Sequence, residues 1–138
     1  MTKDRLEEIY SLAHEARSKS AIKNPTDIAK ALGYNIIISD SLREIPAFCN
    51  HELREIYISD AADKYSQQIL CAHELGHLIL DKYESPSLFD ETIDSECEVE
   101  ANTFAYYLYP KAFVRLSDKD IATGRSFNRF VVNLIHYK

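Results

Sequence analysis

No stretch of this 138-residue chain is apolar for long enough to span a bilayer, so a membrane-spanning helix is not expected. Internal repeats and low-complexity segments are also missing, which excludes solenoid and linker-like architectures. Cysteine is scarce. The three residues Cys49, Cys71 and Cys97 are odd in number and show no C-x-x-C spacing, so neither a disulfide framework nor a zinc ribbon is expected. Free thiols in a reducing, cytoplasmic compartment are expected instead. The N-terminal residues Met1 to Arg5 lead into an amphipathic helical pattern rather than a signal peptide. What remains is ordinary for a globular chain: 46% hydrophobic and 28% charged residues. That is enough for one core, and a single domain over residues 1–138 is expected.

Charge of one sign is short in one part of the chain and abundant in another. Residues 1–110 hold 10 basic and 20 acidic side chains, a net of −10, and residues 111–138 hold 6 and 2, a net of +4, which together give the −6 of the whole. An acidic body argues against direct nucleic-acid binding by that part. The basic segment 111–138, with Lys111, Arg115, Lys119, Arg125, Arg129 and Lys138, can meet nucleic acid, a partner or the acidic body itself. The last is the simplest reading.

One motif carries chemistry. His73-Glu74-Leu75-Gly76-His77 reads H-E-x-x-H. With 5 His and 12 Glu among 138 residues, about 0.015 such matches are expected by accident. The surrounding Tyr65–Leu80 lacks proline and is rich in helix formers, and Ser59 and Asp60 precede it as possible caps. Ile69, Leu70, Ala72, Leu75, Leu78 and Ile79 spread an apolar surface round it, so a buried helix is predicted. On a helix, positions i and i+4 stack on one face. His73 and His77 can therefore grip one metal ion, Zn²⁺ by default and Mn or Fe as alternatives. Glu74, beside them, is placed to act as general base toward a metal-bound water. Gly76 weakens the helix by about 1 kcal/mol relative to Ala, which suggests a close approach of another backbone or of substrate.

A catalytic zinc site needs a third protein ligand. The extended H-E-x-x-H-x-x-G-x-x-H form is absent, because position 80 is Leu80 and position 83 is Tyr83. A downstream carboxylate is expected instead. The segment Glu96–Ala105 reads as a second helix, with Asp94 or Ser95 as its cap and Pro110 beyond its end. Glu98 and Asn102 share a face, and Glu96 and Glu100 lie roughly 160° away around the helix. Only one of these sets can face the metal. Either Glu98 is the ligand, with Asn102 orienting its neighbours, or all three glutamates form a solvated acidic face.

The residues Ala72–Leu80, then Glu98-Val99-Glu100-Ala101-Asn102-Thr103-Phe104-Ala105, then Leu108-Tyr109-Pro110, resemble the ImmA/IrrE-like metallopeptidase family. That family's pattern is A-H-E-L-G-H-x-x-L, E-x-x-A-N-x-F-A and L-x-P. The resemblance covers roughly residues 24 to 112, the expected catalytic core. It implies that Glu98, four before the Asn, is the metal ligand. It also implies a cytoplasmic metalloprotease that makes a limited cut in a helix-turn-helix repressor of a phage or mobile element. The alternative is a non-catalytic metal-binding regulator that holds a repressor or toxin partner without cleaving it. Family members often continue, after the L-x-P step, with a helix-turn-helix-like pattern that is not recognisable in residues 111–138.

The remaining segments predict an α+β fold: N-terminal helices, a small antiparallel sheet of about three strands, and two helices carrying a zincin-type metal site. Asp4–Lys19 and Pro25–Leu32 read as helices, the second begun by proline and stopped by Gly33. Tyr34–Ser39 reads as a strand, and Ala47–Asn50 with Glu55–Ser59 as a hairpin turning at His51–Arg54. Asp81–Thr92 is expected to be a long loop rimming the cleft. His51, Tyr57 and Tyr106 are the possible oxyanion or substrate donors. His51 can equally be an exposed turn histidine, and among nine tyrosines most will be half-buried packing residues.

Overall fold

Ten consecutive residues of one helix, Ile69 to Leu78, are buried, histidines and glutamate included. The computed structural model, which describes residues 1–42, 45–80 and 96–113, builds its other elements around that helix. Their order is α1 (Lys3–Ser18), α2 (Pro25–Ala31), β1 (Asn35–Ser39), β2 (Ala47–Asn50), β3 (Glu55–Ser59), α3 (Lys64–Leu80) and α4 (Glu96–Leu108), then a 3-10 turn at Pro110–Phe113. Helix α3 is the buried one. The architecture is α+β, as expected.

Local chemistry sets the element ends. Thr2 accepts the Arg5 N–H at 3.1 Å and caps α1. Pro25 opens α2, and Gly33, at φ 91°, turns the chain out of it through a left-handed conformation. Helix α3 is capped by Asp63, whose Oδ1 accepts the Ser66 N–H at 2.7 Å. Neither Ser59 nor Asp60 does so; the Ser59 hydroxyl accepts the Ala61 N–H instead. The cap expected for α4 at Asp94 or Ser95, the 81–92 loop and nearly all of the basic segment lie outside the described residues.

The sheet is mixed, not wholly antiparallel. Strand order is β1-β3-β2, with β2 antiparallel and β1 parallel to β3. The hairpin is where the sequence predicts it, but β3 inserts between the two earlier strands. The reason is burial: Ile56 and Ile58 of β3 are completely covered, whereas β1 is half-exposed along its length. The most apolar strand takes the centre, and β1 then runs parallel to it. Arg54 closes the hairpin turn at φ 54°. Its guanidinium donates to the Leu32 carbonyl at 2.7 Å and lies 4.3 Å from the Tyr34 ring centre, which fixes the turn against the end of α2.

Helices cover the sheet face that carries Ile56 and Ile58. Helix α2 is tied to α3 by Thr26 and Gln68: the Thr26 backbone N–H donates to Gln68 Oε1 at 3.0 Å, and the two side chains share hydrogen bonds at 3.1–3.2 Å. Helices α1 and α4 close the far side of α3, with Ile9, Ala13, Phe104, Ala105 and Leu108 in the common core. Arg5 of α1 pairs with Glu100 of α4, its Nε donating to Oε1 at 3.0 Å.

Candidate metal centre

Helix α3 presents His73 and His77 one turn apart, and α4 crosses in front of them. The crossing is close because Gly76 has no side chain. A β-carbon there would lie 3.0 Å from the Ala101 carbonyl oxygen, 3.1 Å from its Cα and 3.2 Å from the Phe104 Cβ. The glycine therefore serves the approach of another backbone, which was one of its expected roles. Glu98 meets both histidines and Asn102 meets His73.

The close approach brings three donors together. His73 Nε2 is 3.0 Å from Glu98 Oε2, His77 Nε2 is 3.1 Å from Glu98 Oε1, and the two Nε2 atoms are 3.2 Å apart. Among the described residues these three form a group able to hold a metal ion, with ligand atoms within 4.8 Å of one another. The spacing suits that purpose. Ligands at about 2.0–2.1 Å in a tetrahedral shell stand roughly 3.3 Å apart.

The donor chemistry fits as well. His73 Nδ1–H donates to Asn102 Oδ1 at 2.6 Å, and Asn102 is fully buried. That bond fixes the neutral tautomer with the Nε2 lone pair turned toward His77 and Glu98. A cluster of buried lone pairs and a carboxylate is short of positive charge, and a cation supplies it. Burial acts to raise the Glu98 carboxyl. Positive charge and N–H donation from the facing imidazole positions of His73 and His77 outweigh it and hold the group below the usual carboxylate range, a role that a bound cation takes over when the imidazoles turn their lone pairs to it.

The other two glutamates are accounted for separately. Glu100 turns away to Arg5, and Glu96 is exposed at the start of α4. The ambiguity between the two faces is thus resolved in favour of Glu98 and Asn102 facing the histidines. Arg5 has no counterpart in the sequence reading, because 95 positions separate it from Glu100 and no local pattern links them.

Glu74 is 2% exposed and follows His73 on α3. One turn before it, Cys71 is fully buried, and burial, reinforced by the Glu74 charge, pushes its thiol well above the ordinary range.

The expected substrate donors fare differently. His51 leaves the hairpin turn toward α3, where its Nε2–H donates to the His77 carbonyl at 3.2 Å. It is therefore a half-buried pin between turn and helix, with its Nε2 proton already engaged. Tyr57 is not brought to the cluster. It alternates with the buried Ile56 and Ile58, so it lies on the opposite sheet face, stacked on Phe48 at 4.5 Å and donating to Glu55 at 2.7 Å. Tyr106 lies eight residues after Glu98, about 12 Å along the helix axis. Its ring packs beside Tyr107 at 5.4 Å.

A buried His₂Glu cluster on two closely packed helices, backed by a small mixed sheet, defines a candidate metal-binding protein. The particular family follows from comparison: the chain belongs to the IrrE N-terminal-like domain family, Peptidase_M78, whose pattern matches residues 29–118. It is also 33% identical over 95 residues to "Uncharacterized immunity region protein 2" of Bacillus phage phi105. That match takes in 65% of this chain and 60% of the phage protein, so the chain spans about three fifths of its relative's length. No solved structure matches the chain significantly.

Proposed function

We propose that this protein is a zinc-dependent metallopeptidase that makes a limited cut in a helix-turn-helix repressor. The observation that carries the reading is the convergence of His73, His77 and Glu98 within 4.8 Å, with the buried Glu74 next to His73 in the chain. His73, His77 and Glu98 hold the ion, and Asn102 keeps His73 in the ligating tautomer. A Zn²⁺ there supplies Lewis acidity and brings the pKa of water into the neutral range. Glu74, almost free of solvent, takes the proton from the attacking water at its carboxylate. It then delivers that proton to the leaving amine nitrogen. The surrounding apolar packing of α3 keeps bulk water away from the carboxylate, which favours proton transfer over solvation.

The substrate is argued from size and from the relative. A small fold with its cluster this deep accepts an extended segment, and linkers offer such segments where folded domains do not. The phage relative is named for an immunity region, which supports a repressor as the owner of the segment. A cut between DNA-binding and dimerisation parts weakens operator binding, because dimers gain affinity from two linked half-site contacts. The test is incubation of zinc-loaded protein with the cognate repressor, read by fragment masses and operator binding. Two fragments from one site are expected. General digestion of unfolded casein, or an uncut repressor in stable complex with this chain, contradicts the proposal.

A further inference from the structure

His51 stands in the hairpin turn, and that turn is held on both sides. Asn50 Oδ1 accepts the Leu53 N–H at 3.0 Å, and the Arg54 guanidinium donates to the Leu32 carbonyl at 2.7 Å. From this fixed point the His51 Nε2–H donates to the His77 carbonyl at 3.2 Å. A carbonyl only accepts, so the bond requires a proton on Nε2. The other ring nitrogen, Nδ1, is buried and has no hydrogen-bond partner among the described residues. A buried nitrogen left unpaired costs about what one hydrogen bond returns. The side chain is therefore no net source of stability, and with Nδ1 unpartnered it is not a proton relay.

What His51 does fix is one peptide group of a metal ligand. Helix α3 ends at Leu80, and the carbonyls of a helix's last four residues have no partner within it. Helix ends also open first. His77 belongs to that last turn. His73 lies one turn deeper, with its ring held by Asn102 at 2.6 Å. The two histidines are thus supported differently, His73 through its ring and His77 through its backbone. A ligand nitrogen must stand about 2.0–2.1 Å from zinc, so a small drift of the His77 peptide carries Nε2 out of reach. We infer that His51 is a positioning residue of the metal centre, holding the last turn of α3, and with it His77, against the hairpin. The inference rests on the reading of His73, His77 and Glu98 as the ligand set.

Zinc affinity of the full chain, measured by chelator competition, tests this. His51→Phe keeps a ring of similar size without the donor, and affinity is expected to fall about 10–100-fold. A glutamine amide nitrogen reaches as far from the backbone as Nε2, and that of asparagine only as far as Nδ1. His51→Gln should therefore recover most of the affinity, and His51→Asn should not. Thr26→Val removes hydroxyl bonds to Gln68, nine residues before His77, and should lower the melting temperature with zinc affinity unchanged. In the metal-free protein, amide exchange at Leu78, Ile79 and Leu80 should quicken in His51→Phe. A His51→Phe protein that binds zinc as tightly as the wild type overturns the inference and leaves the ligand set standing. So do equal losses in the glutamine and asparagine variants, a loss in Thr26→Val as large as in His51→Phe, or unchanged exchange in the last turn. A wild type that binds no zinc overturns the ligand set, and the inference with it.

Discussion

Gly76 on α3 faces the backbone of Ala101 on α4 so closely that an added β-carbon would lie 3.0 Å from the Ala101 carbonyl oxygen. The contact is with backbone, so no side-chain rotation relieves it. The two helices must part, and Glu98 moves with α4. Gly76→Ala is therefore expected to lower stability by about 1–3 kcal/mol of overpacking, even though alanine is the better helix former by about 1 kcal/mol. Melting of the metal-free protein and zinc affinity should both fall. An unchanged melting temperature with unchanged affinity would show that the crossing tolerates a methyl group.

The three glutamates of α4 should separate by role. Glu98→Ala removes a ligand and is expected to abolish stoichiometric zinc binding. Glu100→Ala leaves the zinc and removes the Arg5 pair, at about 1 kcal/mol, since that pair is only partly shielded from solvent. Glu96→Ala, at an exposed position, should alter neither. Metal analysis and urea melts of the three variants check this. Zinc retained by Glu98→Ala and lost by Glu100→Ala would reverse the facing of α4.

Much of this site was legible beforehand because helix geometry is local. The i, i+4 spacing of His73 and His77, and of Glu98 and Asn102, follows from sequence alone. So do the hairpin arms, where turn and strand residues alternate as expected. The direction of β1 was not legible, because it depends on β3 taking the centre of the sheet, a consequence of tertiary burial. Tyr57 misled for the same reason. Only the burial of Ile56 and Ile58 says which face of β3 a tyrosine between them takes. The Asp63 cap could have been found, since it immediately precedes the helix and its side chain reaches the third residue on.

Asn102 should act through His73. Its Oδ1 holds the Nδ1–H at 2.6 Å, so Asn102→Ala leaves the imidazole free to change tautomer and to turn. Zinc affinity measured by chelator competition is expected to drop about 10–100-fold. Asn102→Asp retains an acceptor and should recover most of it. Equal losses in both variants would point to general disruption of the buried helix pair.

Cys71 should behave as an inert core residue. Burial and the neighbouring Glu74 keep its thiol protonated far above neutral pH, and the thiolate is the reactive form. Alkylation of the folded protein at mildly alkaline pH is expected to spare it, as mapped by peptide masses. Modification should follow on unfolding in guanidinium. Labelling of Cys71 in the native state would mean that α3 opens locally.

The central claim is that Glu74 moves the proton while His73, His77 and Glu98 hold the ion. Glu74→Gln keeps the side chain's shape and removes its basicity. The most direct measurement compares this variant with the wild type for bound zinc and for repressor fragments in the same preparations. Zinc near one ion per chain in both, with fragments from the wild type alone, is the predicted result. Fragments formed at the wild-type rate by Glu74→Gln would contradict it.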